Sequence, residues 1–471
     1  MAVTAVPQLS RAVLQRRDEI IARLSGHVAL GRVIHDPSGR AVFAGGDFGT
    51  AEKRIPMAVV LPATVREVSH VFRVCYEMGV KVYVRGGATS PTGATDAGSD
   101  GIVVCLSRLN RILEVSHSDR LVRVEAGITT SAVSRAVLEA GLLFAPDPSS
   151  RMAATVGGNI ATDAAGAGAL RNGPTSAHVT ALKVVLIDGE TVELGDGELE
   201  APSLGLMGVF AGAEGLAGAI VEATLSVVPA PEEARLHIVT FPSVTAAVQY
   251  ADRLMTERLD IAALKMADRR VLSVCRKASA IAAFGDDYQA ALFIEFDGTP
   301  EELDASQKAL PLVSEGERFD LTAARDVADV WRSLDGLFAA LARLGPLRGV
   351  DVIVPRRQQV EVFRRLDEIA ANHGLSTAHL GRVGEGVIRS VLIAASPNSA
   401  ANFDEAMSEV AGLVAEIGGI FSGEHGIGRA KCSLLDVVLT EKELAMHGEL
   451  KSFFDAEWLL GYGTVLPVGE G

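Results

Sequence analysis

A carboxylate and an imidazole stand side by side in Ser422-Gly423-Glu424-His425-Gly426-Ile427-Gly428. An imidazole whose unperturbed pKa is about 6.5 suits abstraction of a hydroxyl proton at neutral pH. The three glycines would let this backbone approach a flat ring system closely. The plainer reading of a lone histidine is a satisfied structural residue. Far upstream lie two glycine-rich segments, Arg85-Gly86-Gly87-Ala88-Thr89-Ser90-Pro91-Thr92-Gly93 and Thr155-Val156-Gly157-Gly158-Asn159-Ile160-Ala161. The second is preceded by Pro146-Asp147-Pro148-Ser149-Ser150. Runs of small residues expose backbone N–H groups and can cradle a pyrophosphate. Neither segment is a GxGxxG or a Walker loop. Taken singly each is also an ordinary tight turn or a close-packed strand end. Two in one domain suit a dinucleotide gripped along its length.

The elements that must position these residues follow from apolar spacing. A short strand at 59–61 precedes a helix opened by a Thr64/Glu67 capping box, with Val65, Val68, Val71, Phe72 and Cys75 on one face and Gly79 at its C′ position. A strand at 80–84 then runs directly into the first glycine loop. Further strands are predicted at 102–106, 122–125, 181–187, 191–194 and 220–228, with a helix at 131–140. Residues 1–55 read as a helical arm followed by an irregular stretch over 39–50. Pro229-Ala230-Pro231-Glu232-Glu233 marks a boundary. Beyond it strands at 237–241, 291–296, 350–354 and 387–394 alternate with helices at 244–257, 300–310, 358–372 and 402–417. That alternation predicts an antiparallel sheet covered on one face. A last helix is predicted near 442–454.

Composition narrows the function. The 471 residues carry 59 acidic and 44 basic side chains, a net charge of −15. Nucleic acid and anionic membrane surfaces select for the opposite sign, so neither is an expected partner. No apolar run approaches the roughly 18–20 residues of a membrane span. Cys75, Cys105, Cys275 and Cys432 are far apart and form no CxxC pair, so they build neither a zinc ribbon nor an iron–sulfur cluster. With no basic, apolar leader at the N-terminus, a reduced, cytoplasmic protein is the expectation.

In their order along the chain, the two glycine loops, 146–150, Gly212-Ala213-Glu214-Gly215 and 422–428 resemble the vanillyl-alcohol-oxidase/p-cresol-methylhydroxylase flavoproteins. Within them the chain is most similar to the group of glycolate oxidase catalytic subunits, D-lactate dehydrogenases and D-2-hydroxyglutarate dehydrogenases. The resemblance spans about residues 56 to 467. It implies an α+β fold, a two-lobed PCMH-type FAD-binding domain with an inserted antiparallel-sheet substrate (cap) domain. The implied limits are an N-terminal helical arm at 1–55, the FAD-binding domain at 56–228, the cap at 229–421 and a C-terminal segment at 422–471 that returns to the flavin. FAD would be held by Arg85, Gly86, Gly87, Ala88, Thr89, Ser90 and Gly93, by Thr155, Gly157, Gly158, Asn159 and Ala161, and along one groove by Pro146, Asp147 and Pro148. Asn172, Gly173 and Val179 would lie near the flavin or adenine, and Glu214, Gly215 and Ile220 further along. Members with tethered flavin carry histidine where this chain has Thr89, so dissociable FAD is implied. The implied reaction is oxidation of a small D-2-hydroxy acid, with hydride moving to flavin N5 and His425 as base.

The chain departs from this pattern around the substrate. The divalent-metal site of the group uses two histidines of a His-Ala-Gly-Asp-Gly-Asn-Leu-His stretch together with the Glu of the Glu-His pair. Here that stretch is Arg382-Val383-Gly384-Glu385-Gly386-Val387-Ile388-Arg389. Guanidiniums stay protonated and do not ligate metal, so no metal is expected, and His379 is a weak substitute. Arg382 and Arg389 could instead take over the electrostatic role of the cation, or simply form an interface salt bridge. The Trp-x-x-Arg that anchors a substrate carboxylate in relatives has Leu334 in place of the arginine, after Trp331; Arg348 is the alternative basic residue. An Asn-Pro-Gly near the C-terminus is Gly461-Tyr462-Gly463.

Two functions of different class remain in view beside the dehydrogenase. One is a flavin-binding, redox-silent subunit of a larger complex; the other is a flavin enzyme for a non-carboxylate alcohol. Electrons would pass to an external acceptor, a protein, a quinone or oxygen. A homodimer or a place in a complex is compatible with the sequence.

Overall fold

In the computed structural model, residues 11–45, 54–195, 205–257, 259–275, 287–313 and 316–468 are described. Helix α1 (Arg11–Ser25) buries Ile20 and Leu24 against α2 (Val65–Glu77), whose stripe of Val68, Val71, Phe72 and Cys75 is the one predicted from spacing. Thr64 caps α2 by accepting from the Glu67 N–H, but Glu67 returns its carboxylate to the N–H of Ala63 rather than of Thr64. Strands β1 (Val33–Ile34), β2 (Ala58–Val60), β3 (Lys81–Arg85) and β4 (Gly101–Cys105) form a sheet of order β1-β2-β4-β3. β2, β4 and β3 run parallel, which is why all three are apolar and α2 crosses between β2 and β3. A short helix at Pro37–Ala41 occupies the start of the stretch predicted irregular; residues 46–50 lie outside the described residues.

A second lobe is antiparallel. β5 (Ile112–Ser116), β6 (Leu121–Glu125), β7 (Val179–Val185), β8 (Thr191–Leu194) and β9 (Ala219–Ser226) are ordered β5-β6-β9-β7-β8. Helices α3 (Thr130–Leu138) and α4 (Val156–Thr162) close its core with Val133, Val137, Val156 and Ile160. The long strand predicted over 220–228 breaks at Val227, after which Val228 and Pro229 pair with Leu143 and Leu142.

After the proline boundary comes a seven-stranded antiparallel sheet. Its strands are β10 (Glu233–Phe241), β11 (Ala263–Asp268), β12 (Ala290–Gly298), β13 (Arg318–Leu321), β14 (Leu347–Ile353), β15 (Leu375–Arg382) and β16 (Val387–Ala394), in the order β13-β10-β12-β11-β15-β16-β14. One face is covered by α5 (Val244–Thr256), with α7 (Pro300–Ala309), α10 (Gln359–Asn372) and α11 (Phe403–Glu416) beside it. The other face is not bare, contrary to the expectation. Helices α6 (Arg269–Cys275), α8 (Ala324–Asp335) and α9 (Leu337–Leu341) cover it with Val271, Val327, Val330, Leu334 and Leu337. α6 and α9 are too short for their periodicity to stand out in the sequence. β11 and β15, central to the sheet, carry charges among their apolar residues and escaped notice for that reason.

The chain ends where it began. α12 (Glu441–Phe454) starts at a full capping box on Thr440 and Glu443. Leu459 and Leu460 then enter the core of the first lobe, and the N–H of Gly461 donates to the carbonyl of Val82 at 2.8 Å.

Candidate functional site

The two glycine loops meet. A Cβ on Gly86 would stand 2.2 Å from Oγ1 of Thr155, and one on Gly87 would stand 2.0 Å from the carbonyl of Ala153. Only residues without side chains permit that approach, so β3 and α4 deliver their loops to one cleft. Gly86, Gly87, Ala88, Thr89, Ser90, Thr155, Gly157, Gly158, Asn159, Ala161, Glu214, Gly215 and Ile220 all line it. The lining is mostly glycine, alanine, serine and threonine, which leaves the volume open and backbone amides accessible. A dinucleotide with a planar head fits a long cleft built this way.

Other predicted residues stand outside the lining. Arg85 donates to the carbonyl of Phe43, Gly93 packs beside Asp96, and Asp147 pairs with Arg151 at 3.1 Å. Pro146 is buried behind Pro148, Ser149 and Ser150, which do line the cleft. Asn172 caps back onto Gly168 and Gly173 turns at φ 78°, both away from the cleft. Motif membership could not separate residues that form a loop from those that face its ligand.

At one end of the cleft lie Phe338, Arg389, Glu424 and His425. The 422–428 turn is held from three sides. The N–H groups of Gly423, Glu424 and His425 all donate to Oδ2 of Asp351, at 3.0, 2.9 and 2.9 Å. Ser90 and Thr92 donate to the carbonyl of His425 at 2.6 and 3.2 Å, tying this turn to the first glycine loop. Glu214 accepts from the N–H groups of Ile427 and Gly428 at 2.6 and 3.1 Å. The glycines of the turn serve these protein contacts, which corrects the expectation that they admit a ring system. Gly426, at φ 83°, leaves no room for a Cβ beside the Glu214 carboxylate. Glu214, although it lines the cleft, therefore directs its carboxylate to the turn; burial pushes its pKa up to about 7 against those N–H bonds.

Asp351 was not singled out in the sequence, where it is one acidic residue in an apolar strand. Burial alone would raise its pKa, but the His425 ring, Lys431, Arg389 and the N–H of Glu424 hold it well below the usual carboxylate range. Lys431 in turn is buried and donates to the carbonyls of Asp351 and Phe421.

Strand alternation decides which charges meet. On β15 and β16, Arg382 and Arg389 share the face that carries Leu380 and Val391. Arg382 donates to Glu424 from Nη1 and to Glu385 from Nε. Arg389 pairs with the other Glu424 oxygen at 2.7 Å. Burial would raise the Glu424 pKa, yet the two guanidiniums outweigh it and keep the carboxylate ionised. Arg389 also meets Nε2 of His425 at 2.9 Å. A guanidinium has no acceptor, so Nε2 is the accepting nitrogen and the ring proton sits on Nδ1, 3.8 Å from Asp351. Burial first, then Arg389, lowers the His425 pKa although Asp351 opposes them. The ring is neutral at pH 7.

That donor set does not fit a divalent cation. Glu424 is already saturated by two guanidiniums, and among the described residues no group of three His, Cys, Asp or Glu side chains could hold a metal ion. His379, on alternate parity from Arg382, faces the other side of the sheet and hydrogen-bonds Ser390 and Asp367. Arg348 likewise falls on the opposite face, against Phe403 and 3.4 Å from Asp404. It reaches only a small side cavity shared with Asp351, His425 and Lys431. Trp331 donates to Glu295, while Arg332 points out to Asp329 and Leu334 is buried.

The family described as FAD binding domain matches residues 56–195, and FAD linked oxidases, C-terminal domain, matches residues 230–465. The chain is 30% identical over 428 residues to a D-2-hydroxyglutarate dehydrogenase of Xanthomonas citri pv. viticola, covering 88% of this chain and 90% of the relative. It is 29% identical over 426 residues to the glycolate oxidase subunit GlcD of Escherichia coli (strain K12), covering 89% and 85%. Among solved structures, p-cresol methylhydroxylase with substrate bound superposes with a TM-score of 0.79 at 13% identity, covering 98% of each chain. No helix among the described residues is long and apolar enough to cross a membrane.

Proposed function

The chain belongs to the FAD-linked oxidases, and on that premise we propose that it oxidises a small D-2-hydroxy acid to the 2-keto acid. FAD is held without a covalent bond, and electrons leave to an external acceptor. The observation that carries this reading is a neutral, half-buried imidazole at the end of the dinucleotide cleft, with its unprotonated Nε2 on the side of Arg389. Relatives named glycolate oxidase, D-lactate dehydrogenase and D-2-hydroxyglutarate dehydrogenase support the substrate class.

Bound flavin supplies the hydride acceptor. The rest is done by this chain. The loops at 86–90 and 155–161 offer amides to the diphosphate. Asp351 fixes the turn and keeps the ring proton on Nδ1. The substrate hydroxyl replaces the Arg389 N–H at Nε2, and His425 takes its proton there as the C–H hydride departs. With no metal, the Arg389 guanidinium stands beside that hydroxyl as a fixed donor and favours its ionisation, while Arg382 is spent on Glu424 and Glu385. Glu424 holds both guanidiniums in place.

One feature favours a second reading, a flavin-binding but redox-silent subunit: the lone pair of the base is already engaged by Arg389. Anaerobic addition of lactate, glycolate, malate or 2-hydroxyglutarate to the holoprotein separates the two. Bleaching of the flavin by one of them is expected. A yellow protein bleached by none of them overturns the dehydrogenase reading.

A further inference from the structure

One face of the cap sheet carries a row of charges, one from each of five neighbouring strands: Glu295, Lys265, Arg382, Arg389 and Asp351. Their cations are unequally used. Arg382 is neutralised by Glu424 and Glu385, and Arg389 by Glu424 with His425 beside it. Arg382 is fully committed, and of the Arg389 guanidinium only Nε is left without a partner. Lys265 differs. It is only 6% exposed, and among the described residues no carboxylate or carbonyl hydrogen-bonds to its Nζ. Its Nζ stands over the Trp331 ring, 5.1 Å from the centroid.

A buried ammonium without a counter-ion is costly unless something anionic completes it. Internal candidates are already committed. Asp335 pairs with Arg151 at 2.6 Å, and Glu295 accepts from Trp331 while burial pushes its pKa up to about 7. Lys265 nonetheless shares its sheet face with Arg382 of the neighbouring strand, which holds Glu424 of the reacting turn. Burial first, then Arg389, pulls its own pKa down to about 8, so it still carries charge at pH 7.

We infer that Lys265 is the anchor for the carboxylate of the substrate, a specificity-determining residue supplied by β11. This rests on the hydroxy-acid reading of the site. The ammonium donates to the carboxylate, holds the 2-hydroxyl toward His425, and discriminates acids from neutral alcohols.

The test uses the full-length holoprotein with Lys265→Met and Lys265→Arg. A hydrogen bond to a charged group is worth roughly 1.5–3 kcal/mol, so the Met variant should raise KM for the hydroxy acid by about 10- to 150-fold with little change in kcat. The Arg variant should recover most of that loss. An unchanged KM in the Met variant, or a fall confined to kcat, overturns the inference. A readout without turnover comes from Trp331: in a Trp458→Phe background, oxalate should shift its fluorescence in the parent and not in Lys265→Met. If no hydroxy acid bleaches the flavin yet this oxalate response holds and depends on Lys265, the anchor stands and the dehydrogenase reading falls. An equal oxalate response with and without Lys265 overturns the anchor.

Discussion

Arg389 donates from Nη2 to Nε2 of His425 across 2.9 Å, which makes Nε2 the accepting nitrogen of the ring. A guanidinium aimed at an imidazole lone pair disfavours protonation of that nitrogen, so Arg389 and burial act in the same direction on the ring. Replacing Arg389 with glutamine should therefore raise the His425 pKa. The acidic limb of the kcat/KM profile, where a general base becomes protonated, should move to higher pH. An unmoved limb in that variant would show that His425 is not the titrating base.

Arg382 and Glu424 make the same point about metal. With Glu424 between two guanidiniums, its carboxylate is occupied by the protein itself. Prolonged dialysis against EDTA should leave activity unchanged, and elemental analysis should find far less than one metal per chain. Arg382→Ala should lower kcat by at least about 100-fold, the scale of losing one preorganised electrostatic contact. Stoichiometric zinc, or full activity without the arginine, would end this account.

Asp351 is the structural counterpart. One carboxylate oxygen receives three backbone amides and faces a buried lysine across the same turn. Removing it as Asp351→Ala strands those donors, and a loss of about 3–5 kcal/mol in urea denaturation is expected. The sign with pH is fixed by the lowered folded pKa. The stabilisation is fully present above the unfolded value of about 3.9 and is lost as pH falls through the folded value. The stability gap between the parent and Asp351→Asn should thus be widest at neutral pH and narrow in strong acid.

Thr89 stands in the cleft wall without an imidazole to bond to the flavin. Precipitation with trichloroacetic acid should leave a colourless pellet and release all the flavin to the supernatant. Yellow colour that stays with the denatured chain would mean attachment at another residue.

Much of this architecture is legible in the chain itself, for local reasons. Apolar spacing every three to four residues identifies α2, α5, α10 and α11, and the small-residue loops must sit at backbone crossings because nothing larger fits there. β11 and β15 were not visible, since a central strand that turns one charged row toward a site breaks its own apolar pattern.

What the sequence determined alone was the family of the fold, the two loops that frame the cleft, the Glu424-His425 pair and the replacement of two imidazoles by Arg382 and Arg389. Those depend on residue type and neighbourhood along the chain. Only the tertiary structure decided that both arginines pair with Glu424, that Asp351 organises the turn, that Arg348 and His379 point away, and that Lys265 keeps an unneutralised charge. Pairing of charges across strands depends on register and on which face each side chain takes. A shift of one residue inverts every one of those relationships.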